Sequence, residues 1–177
     1  MVKIKTKIED IVSVVKKLRD PKNGCPWDRE QDSKSLAKYT LEEAFEVVEA
    51  IELNKKDELK DELGDLLLQV VYHSVISEEK KQFNINDVII SSVNKMKLRH
   101  PHIFLNNRNI KTISDVNAFW EYQKKIDRKK KGATSIIDGV SESLPAVTRA
   151  VKVHKRVAQE GFDWPTTEAT IKKVKEE

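Results

Sequence analysis

The stretch from Leu41 to Val75, LEEAFEVVEAIELNKKDELKDELGDLLLQVVYHSV, constrains this chain more than any other. Two helical patterns meet at the polar turn Asn54-Lys55-Lys56-Asp57. The first carries Glu42, Glu43, Glu46 and Glu49, and the second carries Glu58, Asp61, Glu62 and Asp65. At about 100° per residue, Glu43 and Glu46 lie roughly 60° apart on the first helix, and Glu62 and Asp65 repeat that offset on the second. Around a turn centred near Asn54, Glu46 and Glu62 are each 8 residues away, and Glu43 and Asp65 are each 11 away. An antiparallel hairpin therefore sets Glu46 level with Glu62, and Glu43 level with Asp65. Four carboxylates converge at one height, about three turns from the loop.

From Leu63 to Val71 the second pattern is apolar nearly all round, which predicts a buried helix with Asp65 inside it. Glu58, Glu62, Asp65 and Gln69 fall within one narrow arc, so the polar groups form a stripe. A buried carboxylate without a partner is costly. Four facing acids also repel one another unless a positive charge sits among them. A hard divalent cation with oxygen ligands meets that need, and Mg²⁺ suits it best where a phosphate completes the shell. Glu49, Glu52, Glu58 and Asp61 read instead as a solvated face, with Lys55, Lys56 and Lys60 as partners. Glu42 is i, i+4 to Glu46 but about 100° from Glu43. It is open to a supporting role or to service as an alternative ligand.

Composition narrows the setting. The 177 residues suffice for a real core, and 38% hydrophobic with 35% charged residues is a charge-rich globular balance. Five Gly, five Pro and few alternating β-branched runs point to an all-helical chain. A net charge of +4 is too mild to argue for nucleic-acid binding. Cys25 is alone, which excludes an intrachain disulfide and fits a reducing compartment. No apolar run reaches the roughly 18 residues of a membrane span, and MVKIKTKIED lacks a signal-peptide core. The expectation is a soluble, cytoplasmic protein.

Helical periodicity predicts a first helix over residues 7–19, then a loop, DPKNGCPWDREQDS, without regular structure and with Trp27 plugging the core or, alternatively, walling a substrate pocket. The hairpin helices follow, about Ser35 to Leu53 and about Asp57 to Lys80. Leu41, Phe45, Val48 and Ile51 form the apolar face of the first. Gly64 suggests close helix packing or room for a ligand. Asn86-Asp87 predicts the N-cap of a fourth helix that ends near His100-Pro101. Lys95 and Arg99 share one of its sides, either as ordinary basic surface or as a phosphate-holding pair. Ser114 caps a fifth helix over residues 115–131, where Trp120 and Lys124 are one turn apart. They read equally as a core Trp with a snorkelling Lys, or as a base-stacking ring beside a phosphate-binding amine. The run Arg128-Lys129-Lys130-Lys131 opposes the negative end of that helix. A sixth helix spans Pro145 to Glu160 and is closed by Gly161.

Taken together, LRDPKNGCPWDREQ, the EExxE of Glu42 to Glu46, the ExxD of Glu62 to Asp65 and the RHPHIF of Arg99 to Phe104 resemble the MazG family of all-α nucleoside triphosphate pyrophosphohydrolases. The resemblance covers nearly the whole chain. It implies a helical bundle built on the acidic hairpin and completed by homodimerisation. It also implies hydrolysis of NTPs and dNTPs to the monophosphate and pyrophosphate with Mg²⁺, or Mn²⁺ as a substitute, in nucleotide-pool housecleaning or control. By motif position the metal ligands are Glu43, Glu46, Glu62 and Asp65. The substrate residues are Lys95, Arg99, Trp120 and Lys124, and Glu42 is the candidate general base.

The expected organisation is a catalytic helical domain over residues 1–131, a linker over 132–144, and a tail over 145–177. The tail resembles the opening of a second copy of the domain. Its FDW echoes the PWD of the first, and Lys175-Glu176-Glu177 stops before a third acid. A rival class is a non-enzymatic helical module that binds nucleic acid through Arg128–Lys131. A di-iron carboxylate bundle is disfavoured, because the chain contains no Glu-x-x-His.

Overall fold

The computed structural model describes residues 7–105 and 110–176. The N-terminal MVKIKT and Glu177, at the end of the tail's Lys175-Glu176-Glu177, lie outside that range. Among the described residues every regular element is a helix, as the composition and periodicity predict. Among those residues no helix is long and apolar enough to cross a membrane. The chain divides into two compact units, Met1–Met96 and Lys97–Glu177, each taken separately below.

The first unit is built on the hairpin. Helices α3 (Ser33–Glu52) and α4 (Lys56–Glu79) pack along their length, and α1 (Ile8–Leu18) lies on the far half of α4. Asp32 starts α3 by accepting the Ser35 amide at 2.7 Å. Asn54 turns the hairpin with φ 53°, a left-handed conformation that asparagine tolerates better than most residues. The core sits away from the turn, where Val15, Leu36, Val71, Tyr72, Val75 and Ile76 form one buried cluster.

Between α1 and α3 the expected loop holds a short helix, α2 (Pro26–Glu30), with Pro at its first turn, where a missing N–H costs nothing. Trp27 does not plug the core. It is 50% exposed and meets Tyr39 edge-on at 6.0 Å. The buried residue of this segment is Asp28, which accepts a hydrogen bond from the Tyr72 hydroxyl. Arg19 braces the same segment by donating to the Asp28 and Gln31 carbonyls, and it pairs with both Glu79 oxygens at 2.8 and 2.7 Å. Burial and then the Asp28 bond push the Tyr72 hydroxyl well above its ordinary pKa. Gly24 has a steric reason, because a Cβ there would collide with the Leu18 and Asp20 carbonyls. Gly64 has none of that kind. A Cβ would meet open space, so close packing within this chain does not explain it.

The apolar run on α4 is only half buried. Gln69, Val71, Tyr72 and Ser74–Ser77 are covered, but Leu63, Leu67 and Val70 are 50, 42 and 38% exposed, and Asp65 is exposed with them. The expectation of a buried Asp65 therefore fails in the single chain, since nothing in the unit covers that side of α4. The expected apolar face of α3 is open as well, with Leu41, Phe45, Val48 and Ile51 between 48 and 59% exposed.

Helix α5 (Ile85–Arg99) carries the unit boundary. Its N-cap is Asn84 rather than Asn86. The Asn84 side chain accepts the Asn86 and Asp87 amides, while Asp87 accepts the Asn84 amide. In the second unit, α6 (Pro101–Phe104), α7 (Ile113–Lys130), α8 (Ala146–Ala158) and α9 (Thr167–Glu176) follow. Thr112, not Ser114, caps α7 through a reciprocal pair with Asp115. Gly161 adopts φ 87° just after α8, the left-handed stop that its position predicts.

Candidate metal centre

Two of the acids, Glu43 and Glu62, occupy positions on the seam between α3 and α4. Leu36, Glu43 and Ala50 are seven apart and share the face of α3 turned to α4. Leu36 and Ala50 are buried and Glu43 is half-buried. On α4, Glu62, Gln69 and Ile76 repeat that spacing, with Glu62 half-buried and the other two buried. The seam on α3 is thus apolar on either side of Glu43, while on α4 it runs from a carboxylate through Gln69 to an apolar side chain.

Glu43, Glu62 and Asp65 each offer an oxygen, and these oxygens all lie within 4.8 Å of one another. Glu46 comes within hydrogen-bonding reach of both Glu43 and Glu62. Partial burial, followed by the negative charges of Asp65 and Glu46, pushes the Glu43 carboxyl above its ordinary pKa. Burial and then Glu46 and Asp65 do the same to Glu62. The raised values record a cost. These groups are held together against their own repulsion, and no basic side chain is paired with any of the four among the described residues. A divalent cation would relieve that cost, and an all-oxygen donor set on two facing helices fits Mg²⁺ or Mn²⁺ chemistry. Glu42 is exposed on the same turn of α3 and stands outside the three-carboxylate group.

The remaining candidates divide between the units. Lys95 lies exposed on α5 in the first. Arg99, Trp120 and Lys124 belong to the second, which brings the first two together. The Trp120 indole N–H donates to the Arg99 carbonyl at 2.8 Å. The Arg99 guanidinium lies 3.6 Å from Asp127, and its Nε is buried without a hydrogen-bond acceptor. Lys124 is tied to Glu121 at 2.6 Å. The sequence reading passed over His100, whose ring meets Trp120 edge-on at 5.2 Å. The RHPH motif was its signal. It also passed over the neighbourhood of Gln69, although the polar stripe included that residue. Gln69 is buried with its side-chain oxygen unpartnered, and one turn further along α4 His73 bonds Thr40 at 2.8 Å.

Residues 31–104 match the family model for the MazG nucleotide pyrophosphohydrolase domain. This chain carries a MazG domain. Its sequence is 43% identical over 170 residues to the nucleoside triphosphate pyrophosphohydrolase of Escherichia coli K12, covering 96% of this chain and 64% of that protein. It is 39% identical over 171 residues to the nucleoside triphosphate pyrophosphohydrolase/pyrophosphatase MazG of Thermotoga maritima, again covering 96% and 64%. The chain thus spans about two-thirds or less of the length of these relatives. Its fold is similar to the crystal structure of a mazG-related protein from Thermotoga maritima. The TM-score is 0.54 and the identity 23%, over 66% of this chain and 98% of the other. The acidic hairpin lies within the matched MazG segment.

Proposed function

We propose that this MazG chain hydrolyses nucleoside triphosphates, ribo- or deoxyribo-, to the monophosphate and pyrophosphate. The observation that carries the reading is the meeting of the Glu43, Glu62 and Asp65 oxygens within 4.8 Å, on a hairpin inside a nucleotide pyrophosphohydrolase domain. Under this reading Glu43, Glu46, Glu62 and Asp65 hold Mg²⁺, with Mn²⁺ as a substitute. A cation held there would neutralise phosphate charge and make a water more acidic. The chain's own residues do the rest. The four carboxylates fix the cation on two packed helices, and Glu42 takes the proton from the attacking water. Lys95, Arg99 and Lys124 hold phosphate oxygens by motif position. Trp120, anchored through its indole N–H, offers a fixed ring to the base, and such stacking tolerates every base.

The same reading assigns catalysis to residues 1–131, with 132–144 as a linker and 145–177 as a tail resembling the opening of a second copy. It places the protein in the cytoplasm, in housecleaning or control of the nucleotide pool. It also completes the bundle with a second copy of the chain. The support for a homodimer is the outward face of the hairpin, where Leu41, Phe45, Val48 and Ile51 on α3 and Leu63, Leu67 and Val70 on α4 are each at least 38% exposed. Large apolar side chains exposed in such number on one helix pair mark a surface that gains by being covered.

The test is incubation with Mg²⁺ and a panel of NTPs and dNTPs, with pyrophosphate and orthophosphate measured separately and Glu62→Gln run in parallel. Pyrophosphate that disappears in the variant is the expected result. Orthophosphate alone, or pyrophosphate release that survives in the variant, refutes the proposal.

A further inference from the structure

The second unit carries a basic pocket that the acidic hairpin does not explain. It lies where the end of α7, the turn after it and the last turn of α8 meet, and it encloses about 180 Å³. Lys125, Arg128 and Lys129 of α7 and Arg156 of α8 line it. They face one lining carboxylate, Glu160, which Lys125 already engages at 2.6 Å. Arg156 is held by backbone. Its guanidinium donates to the carbonyls of Asp138 at 2.7 Å, Ile136 at 3.3 Å and, weakly, Gly139 at 3.5 Å. Those bonds fix its position without neutralising its charge, and the opposing charge acting on it is that of Glu121, outside the pocket lining. No ion pair engages Arg128 among the described residues. Burial and the neighbouring Arg128 push the Arg156 pKa below its ordinary value, so the two guanidiniums crowd each other.

Helix dipoles account for part of this, because cations belong in the last turn of a helix. They do not account for Arg156, whose donors go to the turn carbonyls rather than to its own helix end. Nor do they account for two like charges sharing one pocket. The turn adds Thr134 and Ser135 to the lining, and it is fixed in turn by Asp138, which accepts their amides at 2.7 and 2.8 Å. The size decides the ligand class. A pocket for a nucleoside-sized ligand runs to about 300 Å³ or more, so this one suits a smaller anion.

We propose that this pocket binds a small phosphate-type oxyanion, inorganic pyrophosphate or orthophosphate, through Arg128, Lys129 and the fixed Arg156. The site uses residues of the second unit alone and does not depend on divalent metal. It therefore stands or falls separately from the proposed hydrolysis at the acidic hairpin.

The experiment is titration of the whole chain with pyrophosphate, and separately with orthophosphate, in EDTA at constant ionic strength. Heat and backbone-amide NMR shifts are read together. The expected result is saturable binding of at least one of the two anions, with the largest shifts at Thr134, Ser135 and the end of α7. Arg128→Gln combined with Lys129→Gln should weaken that binding at least tenfold while the melting temperature stays that of the wild type. Tighter pyrophosphate than orthophosphate binding identifies the diphosphate as the preferred ligand, and the reverse identifies the monophosphate. Shifts centred on Arg99 and Trp120, or absent altogether, overturn the proposal on the wild-type protein alone. So does a single-stranded oligonucleotide that binds through the same residues where neither anion does, since that result makes the patch a nucleic-acid surface.

Discussion

Glu43→Gln should stabilise the metal-free protein while abolishing its response to Mg²⁺. Two unit charges 4.8 Å apart repel by about 0.9 kcal/mol under water-like screening, and Asp65 stands within that distance of Glu43. Glu46 and Glu62 act in the same direction, while salt and the open side of the site screen every pair. The net relief is about 1 kcal/mol at neutral pH, on the order of 5 °C in melting temperature for a unit of this size. The sign with pH follows from the shift. Glu43 binds its proton more tightly folded than unfolded, because burial and then Asp65 and Glu46 raise its pKa. Its ionisation therefore costs stability as pH rises through the folded-state value. The glutamine advantage is then full at neutral pH and shrinks as pH falls through the carboxylate range. Thermal melts in EDTA from pH 4 to 8, repeated with Mg²⁺, measure all of this. Mg²⁺ should raise the wild-type melting temperature and leave the variant nearly unmoved. A variant that melts below wild type at pH 7 in EDTA, or that keeps the full Mg²⁺ response, refutes the account of this site as acids held together against repulsion.

Tyr72→Phe removes the hydroxyl that donates to buried Asp28, and should cost about 1–3 kcal/mol of stability in urea unfolding. His73 is pushed below its ordinary pKa by burial, so its contribution is present above the unfolded value and lost as pH falls through it. His73→Gln should accordingly flatten the stability profile between about pH 7 and 5, as read by melts across that range. Phe45→Glu places a charge on a side chain that is 59% exposed in the single chain. It should convert a wild-type dimer to monomer in sedimentation, and unchanged sedimentation would remove this face from the interface.

The hairpin was legible because its information is local. Asn54 marks a turn by its tolerance of positive φ, and equal counts outward from it put Glu43 across from Asp65 and Glu46 across from Glu62. Asp65 and Glu46 are the charges that most perturb Glu43 and Glu62 respectively. The caps of α5 and α7 were read two residues late, because each start offers several side chains able to cap. What selects among them is reciprocity. Asn84 and Thr112 each have an acid three residues on that accepts their own amide, whereas three residues on from Asn86 and Ser114 stand Ile89 and Asn117, which are not acids.

Trp27 and the front of α4 were misread for a deeper reason. Apolar periodicity reports which residues gain by leaving water, not which surface covers them. Trp27 is the largest residue of its loop, yet Asp28 is the one buried, because Tyr72 supplies a donor there and Arg19 holds the adjoining backbone. Along α4, the same apolar pattern is buried from Val71 onward and open at Leu63, Leu67 and Val70, because α1 covers only the far half. The acids invert this logic. Glu43 stands midway between Leu36 and Ala50, and Glu62 stands two heptads before Ile76, in places where every energetic preference of a lone chain calls for an apolar side chain. A sequence that puts carboxylates on both sides of one seam accepts a cost in stability that a bound cation would offset. That placement, more than the number of acids, is what makes the site readable from the amino-acid sequence alone.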